Sequence, residues 1–184
     1  TRFEEMGREM PELYKFKADD GKTALYGILH KPSDYEPGKK YPLVVDVYGG
    51  PPTQSLRNRF TSAHPACEYG FLMARIENRG TINRGKAFES ATYLQLGVKV
   101  MQDLADGVTF LAQRPCVDGS RVGIYGHSYG GYMSALALLK HPDVFHLGVA
   151  AAPVTDWKNY DTIYTQRHMR TPQENPDGYE IGSC

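Results

Sequence analysis

Gly123–Ser134 reads GIYGHSYGGYMS, and the order of residue types in it decides the fold. A short apolar run, RVGIYG from Arg121, is a strand that ends at Tyr125. After it, Tyr132, Leu136 and Leu139 recur at i, i+4 and i+7, one face of a helix. Between them Gly126-His127-Ser128-Tyr129-Gly130 spells G-x-S-x-G, and strand-turn-helix is the setting that gives this pattern its meaning. A serine on so sharp a turn projects its Oγ above the sheet, while a side chain two residues to either side would collide with neighbouring backbone. Gly131 adds room for the helix to press against the strand. Ser128 is therefore the candidate nucleophile, and the Tyr129 N–H a donor to the oxyanion that forms when a carbonyl is attacked. The plain alternative is a glycine-rich turn with an incidental serine. A phosphate loop would need a Lys-Ser/Thr ending that is not here.

Working outward, the same alternation of short apolar runs and amphipathic stretches continues. ELYKFKADDGKTALYGILHKP alternates apolar and polar residues around Asp19 to Gly21, an antiparallel hairpin. Leu43 to Val47, FLMARIE from Phe71 and LGVAAAP from Leu147 read as further strands, the first as one buried on both faces. Asp103 to Arg114 sets Leu104, Val108 and Leu111 on one helix face before Pro115 stops it. The expectation is an α/β fold: a mostly parallel sheet with helices on both faces, entered through the N-terminal hairpin.

Composition narrows the function classes. With 184 residues one sizeable core is available, burying roughly 70 % of the unfolded chain's surface, and one domain over 1–184 is expected. Lys plus Arg and Asp plus Glu both number 21, which leaves no electrostatic footprint for a nucleic acid or an anionic membrane surface. No apolar run reaches the ~20 residues that span a bilayer. Cys67, Cys116 and Cys184 are too scattered for a disulfide framework or a metal knuckle. No His-Glu-x-x-His or dinucleotide fingerprint is present, so no metal, nucleotide or flavin cofactor is implied. The compartment stays open.

A second signal is VYGGPP, Val47 to Pro52. In hydrolases of this architecture the loop after an early strand supplies the other oxyanion donor. Tyr48 either donates its hydroxyl there or simply packs its ring beside a plain turn.

VYGGPPTQ, NRGTINRGKAF, VDGSRVGIYGHSYGGYMS and AAAPVTDWKNYDTIYTQRHM together resemble the α/β-hydrolase catalytic domain of the prolyl oligopeptidase family of serine peptidases, closest to its dipeptidyl peptidase IV branch. The resemblance runs from about Glu12 to the end. It implies that Ser128 is the nucleophile, that Tyr129 offers an oxyanion amide, and that Tyr48 offers the oxyanion hydroxyl. It also makes Val154, Trp157, Tyr160 and Tyr164 the wall of the pocket for the residue before the cleaved bond, typically proline. Without it, Trp157, Tyr160 and Tyr164 at i, i+3 and i+7 read as a core stripe. Arg79 matches a family motif, but Glu77 stands where relatives more usually carry aspartate, and the segment is read as loop architecture.

None of His141, His146, His168, Asp143, Asp156, Asp161 or Asp177 falls where the family puts its histidine and acid, and His127 diverges from its neighbour Ser128. His30 and His64 read as surface or cap histidines. The expectation is a peptidase domain whose last strands, with the acid and histidine, and whose upstream β-propeller lie outside these residues. Such a chain acts on peptides weakly or not at all by itself, and its open sheet edge invites association with another copy or with the absent segment. A carboxylesterase-like hydrolase and a non-catalytic binding module on the same frame are the alternatives.

Overall fold

The computed structural model describes residues 10–58, 62 and 64–184. Strands β1 (Glu12–Lys17) and β2 (Ala24–His30) form the expected antiparallel hairpin. Asp20 closes its turn by accepting the Lys22 and Thr23 amides and the Thr23 hydroxyl. Strands β3 (Tyr41–Asp46), β4 (Leu72–Ile76), β5 (Val117–His127) and β6 (Leu147–Ala151) complete a six-stranded sheet in the order β1-β2-β4-β3-β5-β6. The β4-β3-β5-β6 part is parallel, and β2 joins it antiparallel through β4. The helices are α1 (Lys86–Glu89), α2 (Val98–Ala112), α3 (Tyr129–Lys140), α4 (Thr162–Met169) and α5 (Pro176–Ile181).

The core forms where α2 and α3 meet the sheet. Leu104, Val108 and Leu111 of α2 are buried, as their spacing predicts, against Leu43 and Val45 of β3 and Val122 and Ile124 of β5. In α3 the stripe holds at Tyr132 and Leu136 but not at Leu139, which is 60 % exposed. The last turn of α3 accompanies β6, the sheet's edge strand, whose own Leu147 and Val149 are 62 % and 54 % exposed. That turn packs on β6 through Leu138, which lies over Gly148, and leaves Leu139 facing away.

Strand β3 differs from expectation too. Tyr41, Leu43 and Val45 are buried while Pro42, Val44 and Asp46 are only half-buried, because the two faces of the sheet are covered unequally. The second face holds a 3-10 turn, Pro65–Tyr69, and a polar layer. His64 caps that turn by accepting the Ala66 amide on Nδ1, and its Nε2 lies 2.8 Å from the Tyr125 hydroxyl. Arg75 donates to Asp46 from Nε at 2.7 Å. Burial, aided by Asp46, pushes the Tyr125 phenol up to about 12. His30, read from sequence as a surface or cap residue, is buried here, and that burial, with Arg75 and His64 close by, lowers its pKa.

The loop after β4 is anchored by a buried ion pair. Asp103 accepts the Arg79 amide and guanidinium, with Nη2 at 2.5 Å, and Asp19 takes the same nitrogen at 2.6 Å. This is the architectural role read for Arg79. Asp19, Asp103 and Asp106 bring carboxylate oxygens within 4.8 Å of one another, but the Arg79 guanidinium is already bound to Asp19 and Asp103. All three cysteines are free. Among the described residues, no helix is long and apolar enough to cross a membrane.

Candidate active site

The carboxyl ends of β3, β5 and β6 deliver the loops that build the site. Ser128 joins β5 to α3 with φ 59° and ψ −118°, a left-handed backbone that costs a non-glycine residue of order 1–3 kcal/mol and persists only when its surroundings enforce it. They do so on both sides. The Ser128 amide donates to Ala151 O at 2.9 Å, and its carbonyl accepts from the Tyr132 amide at 3.0 Å.

The flanking glycines are required by contact. A Cβ on Gly126 would stand 2.4 Å from Val47 O, one on Gly130 2.1 Å from the same oxygen, and one on Gly131 2.4 Å from Ala151 O. All of these neighbours are backbone, with no side chain free to turn away. The elbow is thus clamped between the end of β3 and the end of β6.

Tyr129 is the first residue of α3. The helix's first bond is the one from the Tyr132 amide to Ser128 O, so the Tyr129 N–H has no intrahelical partner and lies at the positive end of the helix dipole, a position that favours an anion. Its side chain is anchored elsewhere. The ring is buried and the hydroxyl accepts the Gly97 amide at 3.0 Å, and burial holds the phenol well above its ordinary pKa.

Tyr48 follows β3. Its loop is fixed by the Val47 amide donating to Tyr125 O at 3.0 Å and by Asn78 Nδ2 donating to Gly49 O at 3.0 Å. Asn78 is a positioning residue that the sequence reading passed over; it stands inside NRGT, and nothing in its spacing announces the bond. The Tyr48 ring lies 6.1 Å from that of Tyr129. Burial first, then the neighbouring Tyr160, raises its pKa.

Ser128 opens into a cavity of about 290 Å³ that it shares with His127, Val154, Asp156 and Tyr160. Of the four expected wall residues, Val154 and Tyr160 line this cavity. Trp157, 1 % exposed, lies behind them. It meets Tyr132 edge-on at 5.1 Å, Tyr160 edge-on at 5.9 Å and Tyr164 stacked at 6.0 Å. Tyr164 in turn meets Tyr160 edge-on at 5.7 Å. The expected helical stripe is not one helix: Trp157 sits in a 3-10 turn capped by Asp156, and Tyr164 in α4, capped by Asp161. Trp157 Nε1 and the Tyr164 hydroxyl are buried and have no hydrogen-bond partner among the described residues.

Among the described residues no imidazole or carboxylate bonds to the Ser128 hydroxyl. His146 Nδ1 accepts the Val122 amide, and His168 lies against the Tyr164 ring at 4.9 Å. Asp156 and Asp161 are spent on caps.

Comparison with known proteins places this geometry. Residues 57–183 match the prolyl oligopeptidase family. The chain is 44 % identical over 179 residues to human dipeptidyl peptidase 8, covering 94 % of this chain and 20 % of that protein, and equally to its mouse counterpart. Among solved structures, dipeptidyl peptidase 4 of Porphyromonas gingivalis superposes with a TM-score of 0.88 at 38 % identity, over 94 % of this chain and 25 % of that one. The chain therefore spans about a fifth of the length of the curated relatives it matches.

Proposed function

This chain belongs to the prolyl oligopeptidase family, and we propose that it carries the nucleophile half of a serine peptidase site that cleaves peptide bonds after proline, in the manner of a dipeptidyl peptidase. The observation that carries this reading is the Ser128 elbow. Its φ of 59° is held by backbone on both sides, next to a helix-terminal amide, that of Tyr129, with no intrahelical partner.

The residues then act as follows. Ser128 Oγ loses its proton to a base and attacks the carbonyl carbon, forming a C–O bond while the carbonyl π electrons move onto oxygen. The Tyr129 N–H and the Tyr48 hydroxyl donate to that oxyanion, fixed donors aimed where charge develops. Collapse breaks the C–N bond, the amine leaves with a proton, and water then releases the acyl group from Ser128. Val154 and Tyr160 face the residue before the cleaved bond, with Trp157 and Tyr164 holding Tyr160 in place; aromatic faces suit a flat pyrrolidine ring.

No described imidazole or carboxylate bonds to the Ser128 hydroxyl, so the reaction needs a base and its orienting acid brought to Ser128 from elsewhere in the whole protein. Losing the histidine alone costs another serine protease about a million-fold in turnover, so the chain by itself turns over peptides at a level close to background. The test is a fluorophosphonate probe with mass mapping of the labelled peptide, run on the full-length protein and its Ser128→Ala variant beside Gly-Pro p-nitroanilide hydrolysis. Labelling at Ser128, with hydrolysis lost in the variant, is expected. A folded full-length protein that neither labels nor hydrolyses would leave a non-catalytic binding module as the answer, and esters cleaved without amides would point to a carboxylesterase.

A further inference from the structure

The space on the far side of Tyr48 is untouched by the chemistry above. Sheet order sets what lies there. Across the carboxyl ends of the parallel strands, the Ala152–Tyr160 loop follows β6, Ser128 follows β5, Tyr48 follows β3, and Arg75 stands near the end of β4. The cavity holding Ser128 is on the β6 side. A second cavity of about 330 Å³, lined by Asp46, Tyr48, Gln54, Arg57 and Arg75 among others, lies on the β4 and β2 side. Through Ile28, Gln54 and Arg57 it shares its wall with a third of about 710 Å³. A peptide whose acyl portion rests on the β6 loop, and whose scissile carbonyl meets Ser128, sends its departing portion past Tyr48 into this groove.

The charges of the groove are unequally committed. Arg75 puts Nε and Nη2 on Asp46 Oδ2 at 2.7 and 2.6 Å. Deeper in, Arg84 Nη1 is bound to Glu77 at 2.5 Å. Arg57 is different. Among the described residues its side chain makes one hydrogen bond, from Nε to Gln54 O at 3.4 Å, and it is exposed. Its two terminal nitrogens form a planar fork, the shape that takes a carboxylate through two parallel bonds. Among the described residues, the groove thus presents one uncommitted cation beyond Tyr48, Arg57.

We propose that Arg57 is a specificity-determining residue on the leaving side, which favours peptides whose departing portion carries a carboxylate close to the cleaved bond. The proposal rests on the peptidase reading above. Two sources offer that group, an acidic side chain directly after the bond and the free carboxyl terminus of a short peptide.

The test compares kcat/KM of the full-length protein for Gly-Pro-Gln-amide, Gly-Pro-Glu-amide and Gly-Pro-Gln with a free carboxyl terminus. Gly-Pro p-nitroanilide, which has no departing residue, is run alongside. The carboxylate-bearing substrate is expected to be favoured about fivefold, the scale of an exposed ion pair, and less so as salt rises. Whichever of the two acids gains identifies the source. Arg57→Gln brings the ratio to about 1, and Arg57→Glu takes it below 1. A ratio of 1 in the wild type, or a preference that survives both variants, overturns the subsite while anilide hydrolysis stands. Absence of anilide hydrolysis in the wild type overturns the peptidase reading and the subsite together.

Discussion

Around Ser128 the atoms that confine Gly126, Gly130 and Gly131 are backbone, the nearest being carbonyl oxygens that an added Cβ would approach to 2.1 to 2.4 Å. Around Trp157 the confining groups are rings, with centroids 5.1 to 6.0 Å apart in edge-on, tilted and stacked arrangements. Backbone fixed in a sheet cannot move without breaking the ladder, whereas rings can shift by tenths of an ångström within a cluster. Under the proposed function, chemistry that needs a fixed atom, the attacking oxygen, sits in the first region, and recognition of a ring-shaped side chain falls to the second.

Substitution at Gly130 is the harshest test of that contrast. Gly130→Ala drives a methyl into Val47 O, and the expected result is loss of the folded protein, an effect beyond about 4–5 kcal/mol, read by urea titration or by failure to recover soluble protein. A well-folded Gly130→Ala with unaltered midpoint would mean that the clamp yields. Trp157→Ala should cost about 3–5 kcal/mol, as buried large-to-small changes do, while Trp157→Phe, which keeps a ring in the cluster, costs clearly less in the same titration. Equal losses would show the ring cluster to be as unforgiving as the elbow.

Acid should separate the regions more gently. His168, against the Tyr164 ring, and His30, on the second face, are both lowered by burial and by cationic neighbours. Each therefore takes up its proton later in the folded state than in the unfolded chain. Their contribution is fully present above the unfolded value of about 6.5 and is lost as pH falls below it toward the folded values. Urea midpoints at pH 7.5 and 5.5 should differ in that direction, and His168→Phe and His30→Leu should each flatten the difference. An unchanged slope in both variants would assign it to other groups. The smallest effect is expected at Tyr164→Phe. Its hydroxyl is buried without a partner among the described residues, so removing it should leave the midpoint level or slightly raised, and a marked loss would reveal a bond the hydroxyl makes after all.

The contrast also explains what could be read in advance. The elbow was legible because its constraint is written in glycines at fixed offsets from a serine, and offsets survive in a sequence. Helix α2 was legible through Leu104, Val108 and Leu111 for the same reason. The aromatic segment was not: i, i+3 and i+7 suggests one helix, yet a 3-10 turn, a linker and the start of α4 produce that spacing, and only the family resemblance set those rings beside Ser128. Leu139 and His30 were misread because burial at the sheet's edge and on its second face depends on what tertiary structure covers, which no local period records. Arg57 and Asn78 carry no pattern at all, since their partners are 3 and 29 residues away across irregular backbone.

The left-handed serine has an evolutionary corollary. At φ 59° the position suits glycine better than any residue with a Cβ, so under the proposed function it is selection for peptide cleavage that holds Ser128 against a stability gradient. Ser128→Gly would relieve that strain and abolish the nucleophile in one codon change. A lineage that no longer needs the reaction would be drawn toward glycine there by folding alone, and the loss of catalysis would leave a sturdier protein behind it.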